Sequence, residues 1–432
     1  MLQTFRNAWK IPDLRKKLLF TLFIIVAFRF GSVIPVPFLN VSMLESITSG
    51  NTASDYINML TGGAFSRATL FALGIQPYIN SSIIMQLLQV AIPALERLAK
   101  EGETGRKKIA AITRIVTVGL GLLMSLAYYY FLRNNRIVVH TSGFAGVFTA
   151  IVIILVFTAG TALIMWMGEQ INDKGIGNGI SIILFAGIVA RLPVTVSGIA
   201  QQIQLGISNS SLGTILFAVF FVVLFLCIIW LIVFMNEGER RIPVQYAKKV
   251  VGRKMYGGQS SFLPIKVAMS GVMPVIFASS ILSIPSLIEM FVTPAPGGAF
   301  EAILNAMSST GWAYCVLYFL LILMFAYFYM SIQYNPLEMA NNLRQNNGTI
   351  PGIRPGRPTA DFIARILSRI TLIGALFLAV VAIVPIIYAN IANMTDLSFG
   401  GTSIIIMVGV ALETVKQLES QMMMRHYKGF LD

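Results

Sequence analysis

Charge is scarce in this sequence. Asp, Glu, Lys and Arg together make up 12% of the 432 residues, where soluble globular chains carry about a quarter. Histidine occurs twice, at His140 and His426, too far apart in sequence to suggest a His-built metal site, and no metal or other cofactor is expected. Cysteine also occurs twice. Cys227 and Cys315 both fall inside apolar runs and read as reduced packing residues, not as a disulfide. There is no glycine–lysine P-loop pattern and no H-E-x-x-H, so the sequence offers neither a P-loop nucleotide site nor a zincin motif. His140-Thr141-Ser142-Gly143 lies in a short loop with no span-borne histidine to act as base, which leaves serine nucleophilic catalysis unsupported. Glu169 and Asp173 could share a helix face, but GEQINDKGIGNGIS (168–181) reads as a helix end followed by glycine turns. The chain is not read as an enzyme.

Apolar residues are abundant, at 56% of the chain with a mean hydropathy of +0.77. Uninterrupted apolar stretches of about 20 residues mark membrane spans. They fall near 18–35, 76–93, 109–132, 147–168, 177–198, 213–235, 267–291, 312–334, 370–390 and 401–418. The first follows basic residues like a signal peptide, but it lacks an A-x-A cleavage site and is read as a retained span. Of the 32 Lys and Arg residues, 26 fall on the side of both termini, three (Arg133, Arg136, Arg191) on the other, and three (Arg29, Arg67, Arg114) in or beside spans. That asymmetry predicts cytoplasmic termini by the positive-inside rule.

Residues 61–80, TGGAFSRATLFALGIQPYIN, break this pattern. Ala64 to Leu73 would reach only about 15 Å as a helix, half the hydrocarbon thickness. Glycines flank the fragment, and Pro77 suits the start of the next helix. Irregular backbone at membrane depth survives where protein or a water-filled cavity surrounds it, so the fragment reads either as a re-entrant piece or as a helix lying at the interface. Broken helices also mark secondary transporters for small solutes. Coupled transport, however, calls for an ionisable group deep in the membrane. Glu169, Glu289 and Glu413 only approach the interior, and Arg29 reads as a buried arginine bonded to backbone carbonyls. Two long basic loops complete the layout. In 240–266, alternation at Ile242, Val244 and Tyr246 predicts a strand, turned into a hairpin near Gly252. In 347–358, Pro351, Pro355 and Pro358 stiffen the chain around Arg354 and Arg357. Rigid basic projections of this kind suit docking to an anionic partner such as RNA phosphate or an acidic protein face.

Five long segments resemble the SecY family of protein-conducting channels: GGAFSRATLFALGIQPYINSSIIMQLL (62–88), MGEQINDKGIGNGISIILFAGIVARLP (167–193), RRIPVQYAKK (240–249), GGQSSFLPIKVAMSGVMPVIFASSI (257–281) and NPLEMANNLRQNNGTIPGIRPGRPT (335–359). One departure is Phe38 in IPVPFLN (34–40), where the family often has glycine. The resemblance implies an all-α integral membrane protein of ten helices in two pseudo-symmetric halves, 1–200 and 201–432, with a plug half-helix at 62–73. It implies a plug bearing Gly62, Gly63, Phe65, Arg67, Leu70 and Phe71, and a pore ring of Ile75, Ile79, Ile180, Leu184, Ile276 and Ile406. It implies a lateral gate between spans two and seven, with Asn80, Ser81, Ser82 and Gln86 facing Ser279, Ser280 and Ile284. Docking of the SecA motor or the ribosome would use Arg240, Arg241, Lys248, Lys249, Arg253, Lys254, Arg354 and Arg357. The implied partners also include SecE, SecG, signal peptides, unfolded polypeptides and lipid, in a bacterial plasma membrane.

Overall fold

The computed structural model of the protein describes residues 2–48, 58, 61–208, 212–246, 249–251, 254–256, 260–269, 271–285, 311–392 and 401–428. The chain opens with α1 (Leu2–Lys10), α2 (Pro12–Gly31) and α3 (Val41–Thr48). Beyond the fragment come α4 (Gln76–Ala91), α5 (Pro93–Lys100), α6 (Glu103–Asn134), α7 (Gly143–Lys174), α8 (Gly179–Ser208) and α9 (Leu212–Glu237). Four strands follow: β1 (Glu239–Tyr246), β2 (Lys249–Val251), β3 (Lys254–Tyr256) and β4 (Ser260–Lys266). The remainder is α10 (Met273–Leu282), α11 (Trp312–Gln333), α12 (Pro336–Gln345), β5 (Gly348–Thr349), α13 (Arg357–Ala392) and α14 (Gly401–Lys428).

Each expected apolar run thus contains a helix among the described residues. Seven of them, α6 to α9, α11, α13 and α14, are long and apolar enough to cross a membrane, and α4 with α5 makes an eighth if that bent pair is one span. α2 carries Arg15, Lys16, Lys17 and Arg29 within its 20 residues. α10 has ten residues, about 15 Å of helix, and the later part of its expected run lies outside the described residues. Prolines in the first turns of α2, α4, α5, α10 and α12 set where these helices start. The 101° bend between α4 and α5 has the same origin. Pro93 forces the preceding Ile92 into an extended conformation (φ −109°, ψ 113°), which ends α4.

α9 is apolar on every side, as a membrane span is and a helix at a water interface is not. Its Leu216, Phe220, Trp230 and Phe234 are exposed, as are Phe23 and Phe30 on α2 and Leu320 and Met324 on α11. Such an outward apolar belt needs lipid to cover it. Inside, glycines let helices meet backbone to backbone. A Cβ at Gly179 of α8 would lie 1.9 Å from the carbonyl oxygen of Gly168 on α7, a close approach typical of packing within lipid. Of the two free cysteines, Cys315 is buried, whereas Cys227 is exposed on α9 and does not pack.

The two long loops fold together. β1 lies between β4 and β5 in one antiparallel sheet, and β2 pairs with β3 in a second hairpin. The expected alternation holds: Ile242 and Val244 are buried. Ile242 joins Ile265, Ile350, Ile363, Leu367 and Ile370 in a small core of its own. Because β5 comes from the second loop, Gln245 pairing with Thr349 joins both loops into one platform.

Candidate functional site

The glycine-bounded fragment is not the helix its Ala, Leu and Phe content suggests. Residues 61–75 form a succession of turns, with positive φ at Gly62 (67°), Gly63 (91°), Ala68 (41°) and Gly74 (56°). Its backbone bonds outward: Val36 N–H donates to the Ala68 carbonyl (3.0 Å) and Leu70 N–H to the Ile34 carbonyl (3.0 Å). A helix would have claimed those groups internally. The segment after α2 therefore acts as a short strand against the fragment, with Pro35 bridging Thr69.

The fragment is a buried stub. Ala64, Phe65, Ala68, Phe71, Ala72 and Leu73 are each at most 5% exposed, while Arg67 is exposed. Phe71 stacks on Phe28 of α2 with ring centroids 5.7 Å apart. Two glycines shape the seat. A Cβ at Gly31 would meet the Phe71 ring at 2.2 Å, and one at Gly160 of α7 would lie 2.0 Å from the Leu70 carbonyl oxygen. A Cβ at Gly62 would lie 2.6 Å from Arg29 Nη1. That Nη1 is buried without a hydrogen-bond partner among the described residues, so the expected bonding of Arg29 to carbonyls is not met at this atom.

Directly beyond the stub, the six residues expected to form a ring come together. Ile75 and Ile79 enter from the start of α4, Ile180 and Leu184 from α8, Ile276 from α10 and Ile406 from α14. All but Ile180 are buried members of a single apolar cluster that also holds Phe71, and Ile180 packs against it. Asn178 fixes the start of α8: its Oδ1 accepts from the Ile180 N–H (3.1 Å) and the Ser181 N–H (3.4 Å). Asn172 Oδ1 accepts from Gly179 N–H at 2.8 Å.

A cavity of about 340 Å³ adjoins this cluster. Ile276 and Ile406 reach into its wall, and Asn178, Asn236, Lys266, Gln333, Glu413 and Lys416 give it a polar lining. Lys416 Nζ donates to the Asn236 carbonyl at 3.3 Å. The cavity thus borders the same apolar cluster that holds Phe71 of the stub. Apolar constrictions resist wetting, and so resist ions, without offering polar groups that would hold a passing chain.

The seam between α4 and α10 carries a bond that the sequence reading passed over. Gln76 Nε2 donates to Ser280 Oγ at 3.3 Å, with both residues buried. The other expected seam residues behave differently. Ser81 Oγ donates instead to the Thr113 carbonyl of α6 (2.9 Å). Gln86 Nε2 reaches Ser82 Oγ within α4 (3.5 Å), and Gln86 Oε1 is buried without a partner among the described residues. Ser279 Oγ bonds the Ile276 carbonyl in its own helix. Asn80 is half-buried and Ile284 exposed. A polar residue beside proline in the apolar run GIQPYIN was the available signal for Gln76.

Of the docking residues, Arg240 and Arg241 are exposed on β1, and Arg354 and Arg357 are exposed around turns at Gly352 (φ 81°) and Gly356 (φ 104°). Lys249 and Lys254 sit on β2 and β3; Lys248 and Arg253 lie outside the described residues.

A family model for SecY matches residues 69–415. The protein translocase subunit SecY of Streptomyces coelicolor is 45% identical over 448 residues, covering 100% of both chains. That of Mycobacterium bovis is 42% identical over 450 residues, again with full coverage of both. Among solved structures, a protein-conducting channel superposes with a TM-score of 0.67 at 17% identity, covering 94% of this chain and 92% of that one. Sec61 in a canine ribosome–channel complex from the endoplasmic reticulum gives 0.62 at 17% identity, with the same coverage. In fold, and in sequence along its whole length, the chain belongs to the SecY family.

Proposed function

We propose that this chain is the channel subunit of a protein translocase, conducting unfolded polypeptide across the membrane and releasing apolar segments sideways into lipid. The observation that carries the reading is the contiguity of polar cavity, apolar cluster and buried stub. Ile276 and Ile406 line the polar cavity, and the expected ring residues share one apolar cluster with Phe71 of the stub. Family membership leaves the solute-transporter alternative without support.

In this reading the six ring residues grip a threading chain, and residues 62–73 act as its removable plug. The α4–α10 seam, closed by Gln76 and Ser280, is the lateral exit. Its weak polar contact suits a joint that must part, since interhelical hydrogen bonds in membranes average about 0.6 kcal/mol. The chain forms two halves, 1–200 and 201–432, of five spans each, with both termini in the cytoplasm of a bacterial cell. The two-loop platform, with exposed Arg240, Arg241, Arg354 and Arg357, docks a ribosome or the SecA motor. Ribosome-bound states of the canine Sec61 and yeast Ssh1 channels support that role. SecE and SecG are the companion subunits, and the driving energy comes from the docked partner.

The test is deletion of residues 62–73 in the assembled channel, reconstituted in liposomes. Ion leakage is expected to rise; leakage equal to that of the intact channel would refute the plug.

A further inference from the structure

The stub's seat contains a polar group that ring, plug and seam leave unexplained. Tyr128 of α6 is 1% exposed. Its ring lies among Phe65 (centroids 4.6 Å apart), Phe157 (5.1 Å) and Phe131 (6.3 Å). Phenylalanine would fill this aromatic box as well, and a buried phenol is tolerated only with a partner for its hydroxyl. The Tyr128 hydroxyl donates to the backbone carbonyl of Phe65, inside the stub, at 2.6 Å. Ser66 and Thr69 of the stub direct their hydroxyls to the Gly63 and Ala64 carbonyls, within the stub itself. The Tyr128 bond instead joins the stub to a spanning helix.

We infer that Tyr128 is the latch of the closed state, a positioning residue whose hydroxyl holds the stub against α6. The inference rests on reading residues 62–73 as a removable plug. The Phe65 carbonyl also accepts from the Ala68 N–H at 3.1 Å, so it keeps one partner when the phenol lets go. The phenol therefore contributes about one buried hydrogen bond to the closed state, beside the stub's backbone bonds to 34–36 and its apolar packing. The latch is also joined to the seam: α6 accepts the buried Ser81 hydroxyl of α4 at the Thr113 carbonyl. α6 thus bonds both the seam helix and the stub, at points about 22 Å apart along its axis.

The experiment compares Tyr128→Phe with the intact channel, in the assembled complex and in proteoliposomes, by ion efflux. The ring and its packing are retained, so the expected rise in leakage, roughly five-fold, is that of one lost hydrogen bond. In a channel already lacking 62–73, Tyr128→Phe is expected to add nothing, a result that a general loosening of the fold would not give. If deletion raises leakage and Tyr128→Phe does not, the latch is overturned while the plug stands. If neither raises it, the plug reading fails and the latch with it. If Tyr128→Phe raises leakage equally with and without the stub, the hydroxyl acts elsewhere and the latch is wrong.

Discussion

Replacing Ser280 with alanine perturbs the seam by a single oxygen atom. The lost bond, Gln76 Nε2 to Ser280 Oγ, is 3.3 Å long and joins residues that are 5% and 2% exposed. At that length it is a weak bond, worth about 0.6 kcal/mol by the average for polar contacts between membrane helices. Because the substitution strands the buried Gln76 amide in the closed state only, the loss is taken at about 1 kcal/mol, the lower end for an unsatisfied buried polar group. The balance between closed and parted seams then shifts roughly five-fold toward parting. A client whose signal segment is strongly apolar binds the open seam tightly enough to open either channel, so its import hardly changes. A client with a marginal signal is limited by the open population and gains most of the five-fold. Initial import rates into proteoliposomes, measured for two precursors differing only in signal hydrophobicity, report the difference. Equal effects on both precursors, or none on the marginal one, would refute the idea that this bond sets the seam.

Three further outcomes follow from the structure. Gly160→Ala places a methyl 2.0 Å from the Leu70 carbonyl oxygen; the stub must shift, so ion leakage should rise while the protein still inserts, and a tight channel would contradict the seat described. Phe38, at φ 68°, bears a left-handed strain of about 1–2 kcal/mol, partly offset by the greater chain entropy lost with glycine, about 0.5–1 kcal/mol. Phe38→Gly should therefore stabilise by about 0.5 kcal/mol, seen as a small rise in Tm in detergent; a fall would mean that the ring contact with His140 (6.3 Å) outweighs the strain. Arg354→Glu reverses an exposed charge that forms no salt bridge among the described residues, so motor-driven export should collapse while Tm and insertion stay unchanged, and normal export would remove Arg354 from the docking surface.

The spans were legible because apolar length and proline positions are local properties. Strand β1 was legible for the same reason, through its alternation at Ile242 and Val244. The glycine boundaries of the stub could be read as well, but not its conformation. Ala64 to Leu73 has the composition of a helix, and what overrides it is distant backbone, the 34–36 segment that bonds Ala68 and Leu70. The seam shows a second limit. Gln76 and Asn80 lie on one helix face, whereas Ser81 is turned about 100° away and meets α6 instead. Which face of α4 meets α10 depends on how two distant helices settle, and a single sequence does not carry that. Spans two and seven of an alternating topology also run in opposite directions. From the Gln76–Ser280 bond, Asn80 and Ile284 each lie one turn away in opposite directions, about 12 Å apart along the axis. The disulfide expected to close the seam is therefore Gln76→Cys with Ser280→Cys, at the residues whose side chains already meet. Tyr128 was hidden for the same reason: within LAYYYFLRN nothing distinguishes the tyrosine that reaches the stub from Tyr129 or Tyr130.

The central claim is that a client backbone passes through the apolar waist. A precursor arrested in mid-import, with photo-reactive residues placed in turn at Ile79, Ile276 and lipid-facing Leu216, tests it most directly. Crosslinks from the two waist positions and none from Leu216 are the predicted result. Crosslinks at Leu216 with silence at Ile79 and Ile276 would contradict it.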